Sequence, residues 1–318
     1  MTDAPAPFAA GKHLPWADVP AKVTAWAAGV GGGPPDRVTD LAGGFSPGAT
    51  ALLVYDDGPD VFVKAVGVGL NPDTPDLHRR EAAIARSLPP STLWPRLIDT
   101  YDDGDWVALA LEAVDGRLPR HPWEPGELDR VVTALAGMHE RLTPNPSDVA
   151  APAAEGLRSV FGGWRILADG DTDGTGLNEW SRRHLGRLAA LESAWPEACA
   201  GDTLLHVDLR SDNMLLTHDS VVFVDWPHAA VGPPVLDVLA WAPSVNLEGG
   251  PDPDELLARH PAARSADPEV VTVLVAALAG FLVQRSLLPP PPGLPTLRAF
   301  QGAQGEVALR WLRRRTGW

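Results

Sequence analysis

The segment His206-Val-Asp-Leu-Arg-Ser-Asp-Asn213, followed by Val221-Val-Phe-Val-Asp225-Trp226, constrains this chain more than any other stretch. It places a His, an Asp and an Asn on one loop, and a short apolar strand then returns to a second Asp. Phosphoryl transfer from a nucleotide needs such a set. One Asp accepts the proton of the attacking hydroxyl, while an Asn and a further Asp hold magnesium ions against the phosphates. Asp208 is the candidate base. Asn213 and Asp225 are the candidate metal ligands, because their hard oxygens suit Mg²⁺. The plainer alternative for Asp208 is a turn or cap residue before Leu209.

Residue types at fixed spacing also arise by chance, so the other parts of a nucleotide site have to be present, and they follow in order. Gly43, Gly44 and Ser46 lie in a glycine-containing loop that leads into an apolar run. Ala51–Tyr55 and Val61–Val66 read as strands joined by the turn Asp56-Asp-Gly-Pro-Asp60. Lys64 stands inside the second strand, from which an ammonium reaches phosphates. Leu77–Leu88 has a helical pattern closed by Pro89-Pro90, and Glu81 in its first half is the candidate partner of Lys64. Trp106–Glu112 reads as a strand with a polar exit, so the backbone from Glu112 to Val114 is the candidate seat of the nucleotide base.

From His206 onward the loop matches the H-x-D-L-x-x-x-N pattern of protein-kinase catalytic loops, with Trp226-Pro227 in place of the Phe-Gly after the metal Asp. The segments Gly43-Gly-Phe-Ser46, Phe62-Val-Lys64, Glu81, Leu111-Glu112, His206-Val-Asp208, Asn213-Met-Leu215, Val224-Asp225-Trp226 and Gly232-Pro-Pro-Val-Leu-Asp237 resemble the aminoglycoside phosphotransferase family, small-molecule kinases with a protein-kinase-like fold. The resemblance runs from about Leu41 to about Trp241, and the absence of an A-P-E triplet favours this family over protein kinases. The loop at Gly43 is not G-x-G-x-x-G, and Arg210 stands where family members often have His. The resemblance implies a two-lobed enzyme that binds ATP or GTP with Mg²⁺ between its lobes. Lys64 would hold the α- and β-phosphates, and Asp208 would deprotonate a hydroxyl of an aminoglycoside-like antibiotic or a hydroxylated metabolite. Arg210 is expected on the transferring phosphate; the other reading is a surface pair with Asp212. The rival function is a non-catalytic nucleotide-binding pseudokinase or a scaffold protein. The intact set Lys64, Asp208, Asn213 and Asp225 speaks against it.

The chain has 318 residues, enough for two lobes, and 45% of them are apolar. A net charge of −15 argues against a nucleic-acid partner. It suits a cationic substrate, although acidity is also a solubility feature. The acidic connection Asn246–Glu255 leans the same way. Cys199 is the single cysteine, which excludes an internal disulfide and a cysteine-rich zinc site. It has no catalytic neighbours and is expected to be inert. Met1–Pro7 has no signal-peptide pattern, and the most apolar run, Val270–Val283, is too short to span a bilayer. A cytoplasmic protein without a membrane partner is expected, with that run as a buried helix.

Strands first and helices later predict an α+β fold. The expected division is a small strand-rich N-terminal lobe over residues 1–114, with an N-terminal extension, and a larger helical C-terminal lobe over 115–318. Trp16 and Trp26 are expected as packing anchors around a short helix within Val19–Val30. Glu127–Leu142 and Trp180–Trp195 carry apolar faces at helical spacing. The Pro-, Gly- and Asp-rich stretch 143–176 is a candidate flap over the substrate. His206 is expected to steady its loop through backbone hydrogen bonds, and His139, Trp226 and Trp241 to pack. Asp237 either bonds the catalytic loop or caps the following helix. Arg313-Arg-Arg315 is expected as a solvated helix end that favours the dipole's negative pole.

Overall fold

The computed structural model describes residues 13–41, 47–170, 176–291 and 294–318. The N-terminal part is one antiparallel sheet of β1 (Arg37–Asp40), β2 (Ala49–Val54), β3 (Val61–Gly67), β4 (Leu97–Asp102) and β5 (Trp106–Glu112), in the order β1-β2-β3-β5-β4. The expected hairpin is the β2–β3 pair, with Thr50 opposite Lys64. Both faces of the sheet are covered. Helix α1 (Ala21–Val30), with Trp16 and Val19, packs on Ala49, Ala51, Leu53, Val61, Val63, Ala65, Ala108 and Ala110. Helix α2 (Thr74–Ser87) sends Ala82 to the opposite face, against Val107, Leu109 and Leu111. Small residues on one face of β5 and large ones on the other follow the two-residue period of a strand. The same period assigns Lys64 to the α2 face, because Val63 and Ala65 belong to the α1 face. Extended backbone at Leu88, imposed by Pro89, ends α2.

The rest of the chain is mainly helical. Helix α3 (Pro125–Arg141) is followed by α4 (Ala153–Gly156), α5 (Gly163–Asp169), α6 (Glu179–Glu192) and α7 (Trp195–Ala198). Two small antiparallel pairs then frame the His206 loop. Strand β6 (Thr203–Leu205) pairs with β9 (Ala230–Gly232), and β7 (Met214–Leu216) pairs with β8 (Val221–Phe223). Helices α8 (Val235–Leu247), α9 (Pro253–Arg259), α10 (Pro261–Arg264), α11 (Pro268–Ser286) and α12 (Leu297–Thr316) complete the chain. Helix α11 is longer than the apolar run that predicts it. Its 19 residues are enough, by length and composition, to cross a membrane. It packs instead against α5, α6, α7, α8 and α12, which explains a helix apolar on all sides.

Three expectations change here. In the described part of 143–176, α4 and α5 are anchored in the core: Trp164 is fully buried, and its indole donates to the Ala276 carbonyl at 2.8 Å. That anchors this part of the stretch, whose Leu157, Val160 and Phe161 line the cavity beside Asp208, and 171–175 lie outside the described residues. The C-terminal arginines are paired within the chain, and Arg314 among them is still exposed. Arg314 pairs with Asp252 at 2.7 Å, Arg315 with Asp254 at 2.8 Å, and the Arg313 guanidinium lies over the Trp180 ring. Those two aspartates belong to the acidic connection. Its negative charge is therefore matched within the chain rather than offered to a cation.

Helices α5 and α11 touch backbone to backbone. A Cβ added at Gly163 would stand 2.0 Å from the Gly280 carbonyl oxygen, so the helices would have to separate. Gly163→Ala is expected to destabilise the protein by about 1–3 kcal/mol, the usual penalty of overpacking a rigid contact. Urea unfolding checks this, and an unchanged midpoint would refute it.

Candidate active site

Lys64 is 8% exposed and enters the gap between the sheet and the helical part. Its ammonium forms ion pairs with Glu81 of α2 and with Asp225, the latter at 2.7 Å. Burial opposes the lysine charge, but the two carboxylates outweigh it and hold the amine above its ordinary pKa. One cation cannot serve two buried anions equally. Asp225, despite its own burial, is held well below the usual carboxylate range by Lys64, with Arg210 adding to the effect. Glu81 is 3% exposed, and its desolvation pushes it up to about 7, against the pull of Lys64. His78, one turn before Glu81, is also buried there. Burial and the Lys64 charge drive it down to about 3. Its i, i+3 spacing from Glu81 is the signal that could have revealed it.

The catalytic loop holds two unusual backbone conformations, Val207 at φ 69° and Asp225 at φ 70°. A β-branched residue in the left-handed region is strained by about 1–3 kcal/mol and persists only when its surroundings over-determine it. Asp237, fully buried in the first turn of α8, supplies that restraint. Its carboxylate accepts the N–H of His206 at 3.0 Å and that of Val207 at 2.7 Å. Of its two sequence readings, Asp237 therefore serves the loop. The His206 ring donates from Nε2 to the Val224 carbonyl at 2.9 Å, and the Val224 N–H donates to the Asn213 carbonyl at 3.0 Å. The approaches to Asp208 and Asp225 are thus tied to each other.

Behind Asp237 lies a polar chain that the sequence does not announce. The Ala263 N–H donates to His260 Nδ1 at 3.3 Å, so that nitrogen carries no proton. His260 Nε2 therefore donates to His139 Nδ1 at 3.2 Å, and His139 Nε2 donates to Asp237 at 3.0 Å. Burial, then His139, lowers His260 to about 4 and keeps it neutral. His139 is core, as expected, but with both ring nitrogens engaged. Against its burial, Asp237 stays below the ordinary carboxylate range because His139 and the His206 N–H stabilise its charge.

Asp208 and Arg210 face a cavity of about 1000 Å³, which Asp225 also lines. The Asn213 side-chain N–H₂ donates to the Asp208 carbonyl at 2.9 Å. Its amide oxygen is thereby left as the group able to meet a cation. Asn213 Oδ1 and the Asp225 oxygen not bonded to Lys64 fit Mg²⁺, which takes one or two protein oxygens and completes its shell with phosphate and water. Among the described residues no cluster of three His, Cys, Asp or Glu forms a ready-made metal cage. Arg210 forks onto Asp212 at 2.8 and 2.6 Å, and its third nitrogen stands 3.6 Å from the Asp208 carboxylate. The Asp212 pair of the alternative reading is present, but the side chain is largely buried rather than on the surface.

The other candidates fall out as follows. Glu112 ends β5 opposite Val61 and is exposed, with its N–H donated to the Arg96 carbonyl at 2.9 Å. The backbone N–H and C=O of Val114 bond to no other described residue. The edge of a purine base needs such groups. Gly43, Gly44 and Ser46 lie outside the described residues. Cys199 is buried, its thiol pushed up to about 12, which removes it from nucleophilic chemistry.

Glu248 is a buried acid that sequence reasoning placed only in an acidic connection leaning toward a cationic substrate. It accepts from Ser211 of the catalytic loop at 2.7 Å and from the Trp123 indole at 2.9 Å. Burial raises it to about 7, with Asp212 contributing. A carboxyl raised on folding keeps its proton in the native state, so its ionisation disfavours folding as pH climbs from its unfolded value through 7. Glu248→Gln keeps both contacts, its oxygen accepting from the Trp123 indole and its N–H₂ donating to the Ser211 hydroxyl, and removes that ionisation. The variant is expected to be more stable than wild type at pH 8 by up to about 3 kcal/mol, with the difference nearly vanishing near pH 4, below the unfolded value. Denaturation at both values tests this, and an equal difference at the two would refute it.

This arrangement can be compared with known proteins. The model of the phosphotransferase enzyme family APH matches residues 37–274. Curated protein sequences include no match. Similar solved structures include an aminoglycoside phosphotransferase APH(4)-Ia mutant in ternary complex with AMP-PNP and hygromycin B. It has a TM-score of 0.57 and 12% identity, covering 91% of this chain and 98% of that one. Choline kinase LicA from Streptococcus pneumoniae gives 0.57 at 13% identity, covering 87% and 93%. Amicoumacin kinase hAmiN, in complex with AMP-PNP, Ca²⁺ and Ami, gives 0.56 at 12%, covering 92% and 95%. At these identities the neighbours establish a kinase-like α+β fold. The family match spans more than half of the chain, so this protein belongs to the APH phosphotransferase family and is a phosphotransferase with a hydroxyl group as acceptor.

Proposed function

We propose that the protein transfers the γ-phosphate of ATP or GTP to a hydroxyl of a small molecule held in the cavity beside Asp208. In this reading residues 1–114 form the nucleotide-binding lobe and 115–318 the catalytic and acceptor lobe. The base of the nucleotide meets the backbone groups of Val114, which bond to no other described residue. Lys64, kept charged and oriented by Glu81, bonds the α- and β-phosphates. Asn213 and Asp225 would hold Mg²⁺, which when bound neutralises phosphate charge. The Asp208 carboxylate orients the acceptor hydroxyl and takes its proton as the oxygen bonds to the γ-phosphorus. The bond from that phosphorus to the β–γ bridging oxygen breaks, and the nucleoside diphosphate leaves. Arg210 adds a fixed cation beside the phosphoryl group. The protein's contribution is position and preorganised charge rather than covalent chemistry. The observation that carries this reading is the convergence of Asp208, Arg210 and Asp225 on one cavity, with Lys64 bonded to Asp225 behind it.

Asp208→Asn is expected to lower phosphoryl transfer by about 10²- to 10⁴-fold, the usual contribution of a positioned general base, with nucleotide affinity unchanged. Nucleotide consumption and a separate binding titration measure the two. A variant that keeps most of its turnover removes Asp208 from this role. Arg210→Ala is expected to lower the turnover number more than it raises the nucleotide KM, because a phosphoryl contact strengthens as charge develops in transfer. Kinetics at saturating nucleotide decide it, and an unaltered turnover number would leave Arg210 as a partner of Asp212 only.

A further inference from the structure

The cavity beside Asp208 is large, and its walls are of two kinds. Toward the catalytic loop it is charged. Toward the helices it is apolar, lined by Leu157, Phe161, Leu278, Phe281, Leu282 and Leu294. These come from the α4–α5 connection, from α11 and from the approach to α12, so three separate stretches present hydrocarbon to one space. The carboxylates among the described lining residues are Asp73, Asp208 and Asp225. Asp73 is exposed just before α2, Asp225 is paired with Lys64, and Asp208 stands 3.6 Å from the Arg210 guanidinium. Acidic residues are abundant in the chain, yet those of the connection after α8 are committed elsewhere. Glu248 is bonded to Ser211 and Trp123, Asp252 to Arg314, and Asp254 to Arg315.

The polar groups deep in the apolar half are neutral. Gln304 donates to the Ser244 hydroxyl at 2.6 Å, and its amide oxygen has no partner among the described residues. Gln301 accepts from Arg298 at 2.8 Å, which leaves its N–H₂ as a donor. One neutral acceptor and one neutral donor recognise hydroxyl, carbonyl or amide groups. An ammonium buried against leucine and phenylalanine, where the described wall presents no carboxylate, loses its hydration without replacement. A hydrocarbon surface in the same place gains from leaving water. In the kinase reading the cavity of about 1000 Å³ is shared with the donor phosphates at Arg210 and Asp225, and its apolar wall from Leu157 to Leu294 extends beyond them.

We infer that the acceptor is a sizeable neutral molecule with an apolar body and a hydroxyl at one edge, and not a polycation. The hydroxyl sits at Asp208, and the body lies along Leu278, Phe281, Leu282 and Leu294. Gln301 and Gln304 bond its neutral polar groups. The assignment rests on the kinase reading above and narrows its acceptor. The net negative charge of the protein still draws cations to the surface, but the carboxylates of the described lining lie toward the catalytic loop and the start of α2, away from the apolar wall.

The test is isothermal titration calorimetry with two hydroxylated probes, in the presence of Mg²⁺ and AMP-PNP so that no turnover occurs. One probe is octyl β-D-glucoside below its micellar concentration, neutral with an apolar tail. The other is kanamycin A, a polycation. Wild type is expected to bind octyl glucoside at least about tenfold more tightly than kanamycin A, a difference calorimetry resolves easily. Leu294→Glu sets a carboxylate on the apolar wall from a half-buried position outside any helix, and is expected to weaken octyl glucoside about tenfold. Leu294→Met, similar in size and still apolar, separates charge from shape and is expected to keep the wild-type preference. The assignment is overturned if kanamycin A binds as well or better, if neither probe binds, or if Leu294→Glu changes nothing. Titration of Mg·AMP-PNP alone keeps the two readings apart. Failure of the nucleotide to bind defeats the kinase reading, whereas nucleotide binding with kanamycin A preferred defeats only the acceptor class.

Discussion

The carboxylate of Asp237 is the constraint on which the site depends. It lies fully buried at the start of α8, and it holds the amides of His206 and Val207 in a turn that a valine does not adopt unaided. The strain there has a purpose in the geometry. The turn directs Asp208 toward the cavity, while the next residues bring Asn213 back to the Asp208 carbonyl and place its backbone beside Val224. A buried ionised group of this kind is sustained only by several donors at once. Asp237 has two amides and His139, and each loop amide has an acceptor that does not move with solvent.

The electrostatics of the cleft follow from an unequal contest. Glu81 and Asp225 both lean on Lys64, one from the sheet side and one from the catalytic loop. Asp225 prevails because it retains some exposure and has Arg210 behind it, whereas Glu81 is sealed. The lysine is thus a charged link between α2 and the segment that carries Asp225. Lys64 is a cation already desolvated and positioned. Preorganisation of this kind lets charge stabilisation in a dry site exceed what the same groups achieve in water.

Much of this was legible in the sequence because it depends on short spacings. The alternation of β3 places Lys64 on the α2 face, the helical pattern carries Glu81 to meet it, and the loop from His206 to Asn213 is local. The α+β order of elements was legible for the same reason. What was not legible is what depends on distant partners. The short strands β1 and β4 have weak apolar patterns, since β1 is exposed along its length and β4 is an edge. The acidic connection leaned toward a cationic substrate because nothing local indicates that Arg314 and Arg315 lie against it. Asp237 could have been a helix cap, and only the tertiary fold shows that its oxygens turn away from its own helix. His260 is far from His139 in the chain, and an isolated histidine after a helix has no signature.

The hydrogens along Ala263, His260, His139 and Asp237 all point the same way. A His–Asp pair at 3.0 Å resembles the back half of a hydrolase triad, and a search for such pairs by distance alone would count it as machinery. Its topology excludes that. One end of the chain is a peptide N–H, and the other ends at the amides of His206 and Val207, so neither terminus can release or receive a proton at neutral pH. The array conducts nothing. It behaves as a truss, in which imidazoles were used for their two rigid, oppositely directed bonding points, and the same residue types that elsewhere carry protons here carry only orientation.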